Sequence, residues 1–135
     1  RYFDVVVLLE ELYPFRMDDL IDNMILKFVS QGYDTLFSGT KESRGIWSQS
    51  LNKVELLNSS ENPSMPTALK ESHFVIGMLG LCCVTLPSLL RNNNIFSGKV
   101  GIVNIDDPIA TIAVRSEKDF ALAAIVDKYA NLNEK

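Results

Sequence analysis

Five apolar residues in a row, Val5 to Leu9, stand between Asp4 and Glu10. A continuous branched run of this kind predicts a strand buried on both faces, as in parallel sheets. A short polar loop follows, closed by Pro14, and a helix is predicted directly after it from Met17 to Gln31. Within that helix Leu20, Ile21, Met24, Ile25, Phe28 and Val29 recur at amphipathic spacing. Asp18 and Asp19 favour its N-terminal turn electrostatically, and Gly32 is a natural stop. Tyr33 to Thr40 reads as a second strand, so strand, helix and strand make a parallel crossover unit, nearly always right-handed.

The pattern then becomes more broken. Lys41 to Trp47 is polar, contains Gly45 and reads as a loop, and Lys53 to Leu57 as a short strand. Asn58 to Thr67 is the most loop-like segment. Phe74 to Val84 is another apolar strand region, interrupted by Gly77 and Gly80, and glycine inside a strand often marks a bulge or a close backbone approach. Pro87 suits the first turn of a short helix, Leu86 to Arg91, which Asn92-Asn93-Asn94 ends. Ile102 to Ile105 is strand-like. Ser116 is a sound N-cap for a final helix, with Asp119 at its third position as in a capping box. Leu122, Ile125, Val126 and Tyr129 are expected to face the core from that helix. The expectation is a single layered α/β domain over residues 1–135.

Composition narrows the function classes. An apolar content of 47% with 22% charged residues is globular rather than disordered. A net charge of −4 argues against a nucleic-acid surface. No run of 18 apolar residues is present, so no membrane span is expected. The chain starts at Arg1 and enters a strand at once, with no signal peptide ahead of it, which predicts a cytoplasmic protein and an upstream portion that is missing or removed. Cys82 and Cys83 are neighbours whose side chains point to opposite faces of a strand. They read as two buried reduced thiols of a cytosolic protein, the alternative being a reactive or metal-binding pair. With His73 as the sole histidine, a multi-histidine zinc site is excluded.

Several of these stretches resemble the acylneuraminate cytidylyltransferase family, which activates sugar acids with CTP. There the first strand runs into Leu-Leu-Gln-Pro-Thr-Ser-Pro-Leu-Arg, a frame kept here as Leu8-Leu9, Pro14 and Arg16, with Glu10 in place of glutamine and Glu11, Leu12 and Tyr13 in place of Pro-Thr-Ser. Phe96-Ser97-Gly98-Lys99-Val100-Gly101 resembles the family's Phe-Gly-Gly-Lys-Val-Gly. Gly80 matches the glycine of its Asn-Gly pair, with Leu79 replacing the asparagine, and Lys70 and Glu71 lie near its Gln-Asp. The resemblance implies a Rossmann-like nucleotidyltransferase sheet and a homodimer. Glu10, Arg16, Lys41, Arg44, Gly80 and Lys99 would line the substrate site. Lys41, Arg44 and Trp47 would lie near the sugar and the partner subunit, and residues 44–70 would form a dimerisation or loop excursion.

The same resemblance implies a loss. The family's Asp-Ile-Asp-Thr-x-x-Asp-Phe-x-x-Ala aligns with residues 113–123, so its two metal aspartates fall on Ala113 and Arg115, while Asp119, Phe120 and Ala123 are kept. Mg²⁺, the family's cofactor, needs hard oxygen ligands, which a methyl group and a guanidinium do not offer. Asp106 and Asp107 are a candidate replacement pair, but Pro108 beside them points to an ordinary turn. No glycine-rich phosphate loop occurs. The expectation is the C-terminal part of a cytidylyltransferase, diverged or incomplete and binding no Mg²⁺ itself. The alternative is a non-catalytic binding or assembly module derived from that fold.

Overall fold

The computed structural model describes residues 4–58 and 74–133. Its centre is β2 (Thr35–Glu42), an eight-residue strand with three neighbours. Along its first half it pairs antiparallel with β6 (Cys83–Thr85) on one side and parallel with β7 (Val100–Asn104) on the other. Its second half pairs antiparallel with β5 (Phe74–Gly77). β1 (Val6–Leu8) pairs antiparallel with the far side of β6. Since β1 and β2 both run against β6, they are parallel to each other, as the crossover reading requires, with β6 inserted between them. The protein is thus α/β with a mixed sheet.

α1 (Leu20–Gln31) connects the two parallel strands and buries Leu20, Met24 and Phe28. These meet Leu36, Val84, Leu81, Cys82, Ile105 and Tyr13 in one core. The helix starts three residues later than its pattern predicts, and Val29 points to solvent instead of the core, at 67% exposure. Gly32 ends it as expected. It adopts φ 66°, and the N–H groups of Gly32 and Tyr33 bond to Val29 O and Phe28 O, a Schellman closure that favours a residue without Cβ. α2 (Pro87–Arg91) has its proline in the first turn. On the sheet face away from Leu36, Phe37 and Cys83 are opposed in register and Phe37 meets Phe96 edge-on at 5.8 Å.

Four expectations need correction. β1 is not buried on both faces: it is a half-buried edge strand, because β6 covers one side only. Lys41 belongs to β2 and Trp47 to β3 (Trp47–Gln49), which forms a separate hairpin with β4 (Val54–Leu56), so only 43–46 is loop. The apolar region from Phe74 is two strands separated by a detour at 78–82. Finally, in α3 (Glu117–Asn133), Leu122, Ile125 and Tyr129 do not face the core but lie 62–64% exposed, and Ala123 is its one buried apolar residue. The N-cap itself holds: Ser116 Oγ accepts from Asp119 N at 3.2 Å and Asp119 Oδ2 from Arg115 N at 3.0 Å. The expected loop over residues 58–67 falls largely outside the described residues, as do Lys70, Glu71 and His73.

Candidate functional site

The detour between β5 and β6 is built around one hydroxyl. Gly77 pairs with Gly39 and Cys83 with Phe37, so five residues, 78–82, stand opposite Ser38 alone. Ser38 is fully buried and closes both ends of the detour. Its backbone N–H donates to Cys82 O and its C=O accepts from Met78 N. Its Oγ donates to Met78 O at 2.7 Å and accepts from Cys82 N at 3.1 Å. A serine in the middle of an apolar strand is the sequence signal for this knot, and sequence reasoning had passed over it.

The detour reaches across β6 to the loop after β1. Glu10 N donates to Gly80 O at 2.7 Å. Arg16 closes the same junction with its planar fork: Nε donates to Leu81 O at 2.7 Å, and Nη2 to Glu10 O at 2.7 Å and Gly80 O at 3.2 Å. A delocalised guanidinium meets three carbonyls at once in a way that an ammonium does not. Gly80 lies against the Glu10 carboxylate, and a Cβ there would push aside the end of that exposed, flexible side chain. Tyr13, 7% exposed, anchors the loop in the core, and Leu12 O accepts from Val114 N at 2.8 Å. Three segments, residues 10–16, 78–82 and 113–115, therefore meet at the carboxyl end of β1, the end of a parallel strand where α/β sheets hold ligands.

Of the six residues read as substrate contacts, the structure joins three: Glu10, Arg16 and Gly80. Lys41, near the carboxyl end of β2, and Arg44, just beyond it, make no bonds to that group. Lys41 N donates to Asn104 Oδ1. Arg44 is folded onto Glu42, its Nε and Nη2 donating to the two carboxylate oxygens at 2.8 Å each. Lys99 is at the opposite end of the sheet. Its Nζ donates to Gln31 O at the end of α1 and lies 4.7 Å over the Tyr33 ring, where a cation offsets the negative end of the helix dipole.

Two sets of ionisable groups are shifted by their surroundings. The Arg44 guanidinium and its backbone N–H hold the Glu42 carboxyl at about 2, against an ordinary 4.5. The folded state thus favours the carboxylate. Whatever this contact adds to stability is present above pH 4.5 and is lost as the pH falls towards 2. In a carboxyl-detected NMR titration Glu42 is expected to have its midpoint near 2, and Arg44→Ala to return it towards 4.5. Salt should weaken the difference, since Arg44 is exposed.

The Cys82 thiol is pushed up to about 11, chiefly by burial and further by Cys83, with Arg16 pulling the other way. Burial also raises Cys83. Both are free and fully buried, as inert structural thiols are. Native protein at pH 8 is expected to react only slowly with a disulfide reagent, and both thiols to react promptly in denaturant. A fast native equivalent would show that the junction opens.

The residues do not fit Mg²⁺. Ala113 packs against the core, and Arg115 places a cation where the resemblance calls for a carboxylate. Asp119 is engaged at the α3 cap. Asp106 bonds to the Asn104 amide, and Asp107 caps the following turn through Ile109 N at 2.9 Å. Among the described residues no group of three or more His, Cys, Asp or Glu is placed to hold a metal ion. None of their helices is long and apolar enough to cross a membrane. The architecture is thus that of an α/β protein with a loop junction at the carboxyl end of its first strand. No protein-family model matches the chain, and no curated protein matches it.

Proposed function

We propose that this chain is the sugar-side portion of a cytidylyltransferase-type fold, the Rossmann-like class that activates a sugar acid with CTP to give a CMP-sugar, and that alone it binds without transferring. The observation that carries this is the junction of residues 10–16 with 78–82. The two segments that resemble the family's substrate loops are far apart in sequence, yet Arg16 fastens one to the other at a strand's carboxyl end. In this reading Arg16 braces the loop with Nε and Nη2, which are committed to carbonyls, and only Nη1 is left to meet a substrate group. Glu10 presents a carboxylate that accepts hydrogen bonds from sugar hydroxyls. It also repels an acidic sugar, which favours a changed or neutral sugar. With Ala113 and Arg115 in the metal positions, no transfer step is assigned to these residues.

The second reading, a non-catalytic assembly module, draws on the β3–β4 hairpin. There Trp47, Val54 and Leu57 are 54–61% exposed, which suits a homodimer contact. NMR shift mapping separates the two. Titration with N-acetylneuraminate and with its reduced, uncharged analogue is expected to move the amides of residues 10–16 and 78–82, the uncharged sugar more strongly. Shifts confined to the hairpin on raising protein concentration, with none from either sugar, would overturn the first reading in favour of the second.

A further inference from the structure

A short chain of hydrogen bonds joins the buried Ser38 hydroxyl to the exposed loop after β1. Ser38 Oγ donates to Met78 O at 2.7 Å and accepts from Cys82 N at 3.1 Å. Met78 O also accepts from Leu81 N at 3.1 Å, which folds the detour into a turn. The next two carbonyls face the loop: Gly80 O accepts from Glu10 N at 2.7 Å, and Leu81 O from Arg16 Nε at 2.7 Å. Among the described residues, the hydrogen bonds of residues 78–82 run only to Ser38, within the turn, or to Glu10 and Arg16. The turn is therefore held from one side by a buried serine and from the other by the candidate site.

β1 does not fix Glu10, because its pairing with β6 ends at Leu8 and Cys83. The Glu10 N–H is fixed by Gly80, and Gly80 by the turn. The main chain of Ser38 holds the two ends of the detour to β2 whatever its side chain is, through Cys82 O and Met78 N. Those two bonds leave residues 79–81 free to tilt, and the hydroxyl removes that freedom by pinning Met78 O and Cys82 N to one atom. We propose that Ser38 is a positioning residue for the site at the carboxyl end of β1: by pinning the turn it sets where Gly80 and Leu81 hold Glu10 and Arg16, so that the loop and the covered Cys82 thiol open and close together. The ligand in this inference rests on the sugar reading, and the coupling rests on the bonds alone. Coupling is reciprocal, so a ligand that binds the closed loop must also shield Cys82.

The test compares the full chain with S38A and with Gly32→Ala. The second variant strains the end of α1, where residue 32 has φ 66°, and touches none of these bonds. Amide exchange at Glu10 is expected to rise about tenfold more in S38A than in Gly32→Ala, the ratio set by one buried hydrogen bond. Reaction of Cys82 with a disulfide reagent should accelerate in step. The reduced, uncharged analogue of N-acetylneuraminate at ten times its Kd should then slow that reaction again by about tenfold, an effect that a purely structural serine would not transmit. Exchange at Glu10 that rises no more than in Gly32→Ala, while Cys82 accelerates, would overturn the proposal. So would a sugar that shifts the amides of residues 10–16 and leaves the rate at Cys82 unchanged. Joint opening of Glu10 and Cys82 in S38A supports the positioning role even where no sugar shifts an amide, an outcome that removes the sugar reading alone.

Discussion

Replacing Ser38 by alanine is expected to lower stability by about 2 kcal/mol, the scale of a buried donor left without its acceptor. For a chain of this size that corresponds to a fall in Tm of roughly 6–10 °C. The reason is local and can be counted. Ser38 Oγ is the acceptor for Cys82 N and a donor to Met78 O, in a position with no solvent access. Alanine keeps the backbone bonds of residue 38 but strands the Cys82 N–H in a dry interior. The effect should appear at the detour first: Cys82, shielded in the native protein, is expected to become the faster-reacting thiol in S38A. A variant that unfolds at the wild-type temperature with unchanged thiol kinetics would show that water reaches residues 78–82 and that the knot is unnecessary.

The second large effect is expected from Arg16. Arg16→Met keeps the hydrophobic stem and removes three bonds to carbonyls. A hydrogen bond to a charged group contributes about 1.5–3 kcal/mol when it is not shared with water. Partial exposure of this junction reduces the total, and a global loss of about 1–2 kcal/mol is expected. The local consequence is larger. Without the fork, the bond from Glu10 N to Gly80 O holds the junction alone, and amide exchange at Glu10 should rise by roughly 10- to 100-fold, the ratio that 1.4–2.8 kcal/mol of local opening produces. Arg16→Lys separates charge from geometry. An ammonium cannot bridge Glu10, Gly80 and Leu81 together, so the conservative change is expected to resemble methionine more than wild type. If lysine restored protection at Glu10, the clamp would be a matter of charge.

These two residues show where the sequence was readable. α1 was legible because its apolar positions repeat at helical spacing and Gly32 supplies the left-handed stop. The start of α3 was legible because a cap is a contact between residues three apart. Pro87 located α2 for the same local reason. Long-range pairings leave no such trace. Nothing in the spacing of Phe74 to Val84 states that its two halves pair with the same strand on either side of Ser38. The insertion of β6 between β1 and β2 is equally invisible in a crossover pattern. The stripe on α3 was read correctly as apolar and incorrectly as core-facing, because periodicity reports that a face needs covering and not what covers it. β1 failed in the same way: its composition is that of an interior strand, and its place is an edge.

The candidate site divides along the same line. Glu10, Arg16 and Gly80 were reached through resemblance of short loops, and the structure gathers them because each lies where a strand ends or breaks. Lys99 resembled a substrate lysine in a Gly-Lys-Val-Gly frame, yet that frame begins β7 at the far end of the sheet, where the ammonium serves the end of α1. Arg44 resembled a cation of the substrate site, yet Glu42, two residues before it, accepts from both its Nε and its Nη2.

We propose that this chain presents a sugar-side surface without a working nucleotide site. A calorimetric titration of the purified chain with CTP, in the presence and absence of Mg²⁺, tests it most directly. No heat of binding is expected in either condition, since Ala113 and Arg115 stand where the resembling family has its metal aspartates and no phosphate-cradling loop occurs in the sequence. Micromolar binding that appears only with Mg²⁺ would contradict it and assign transfer to this chain.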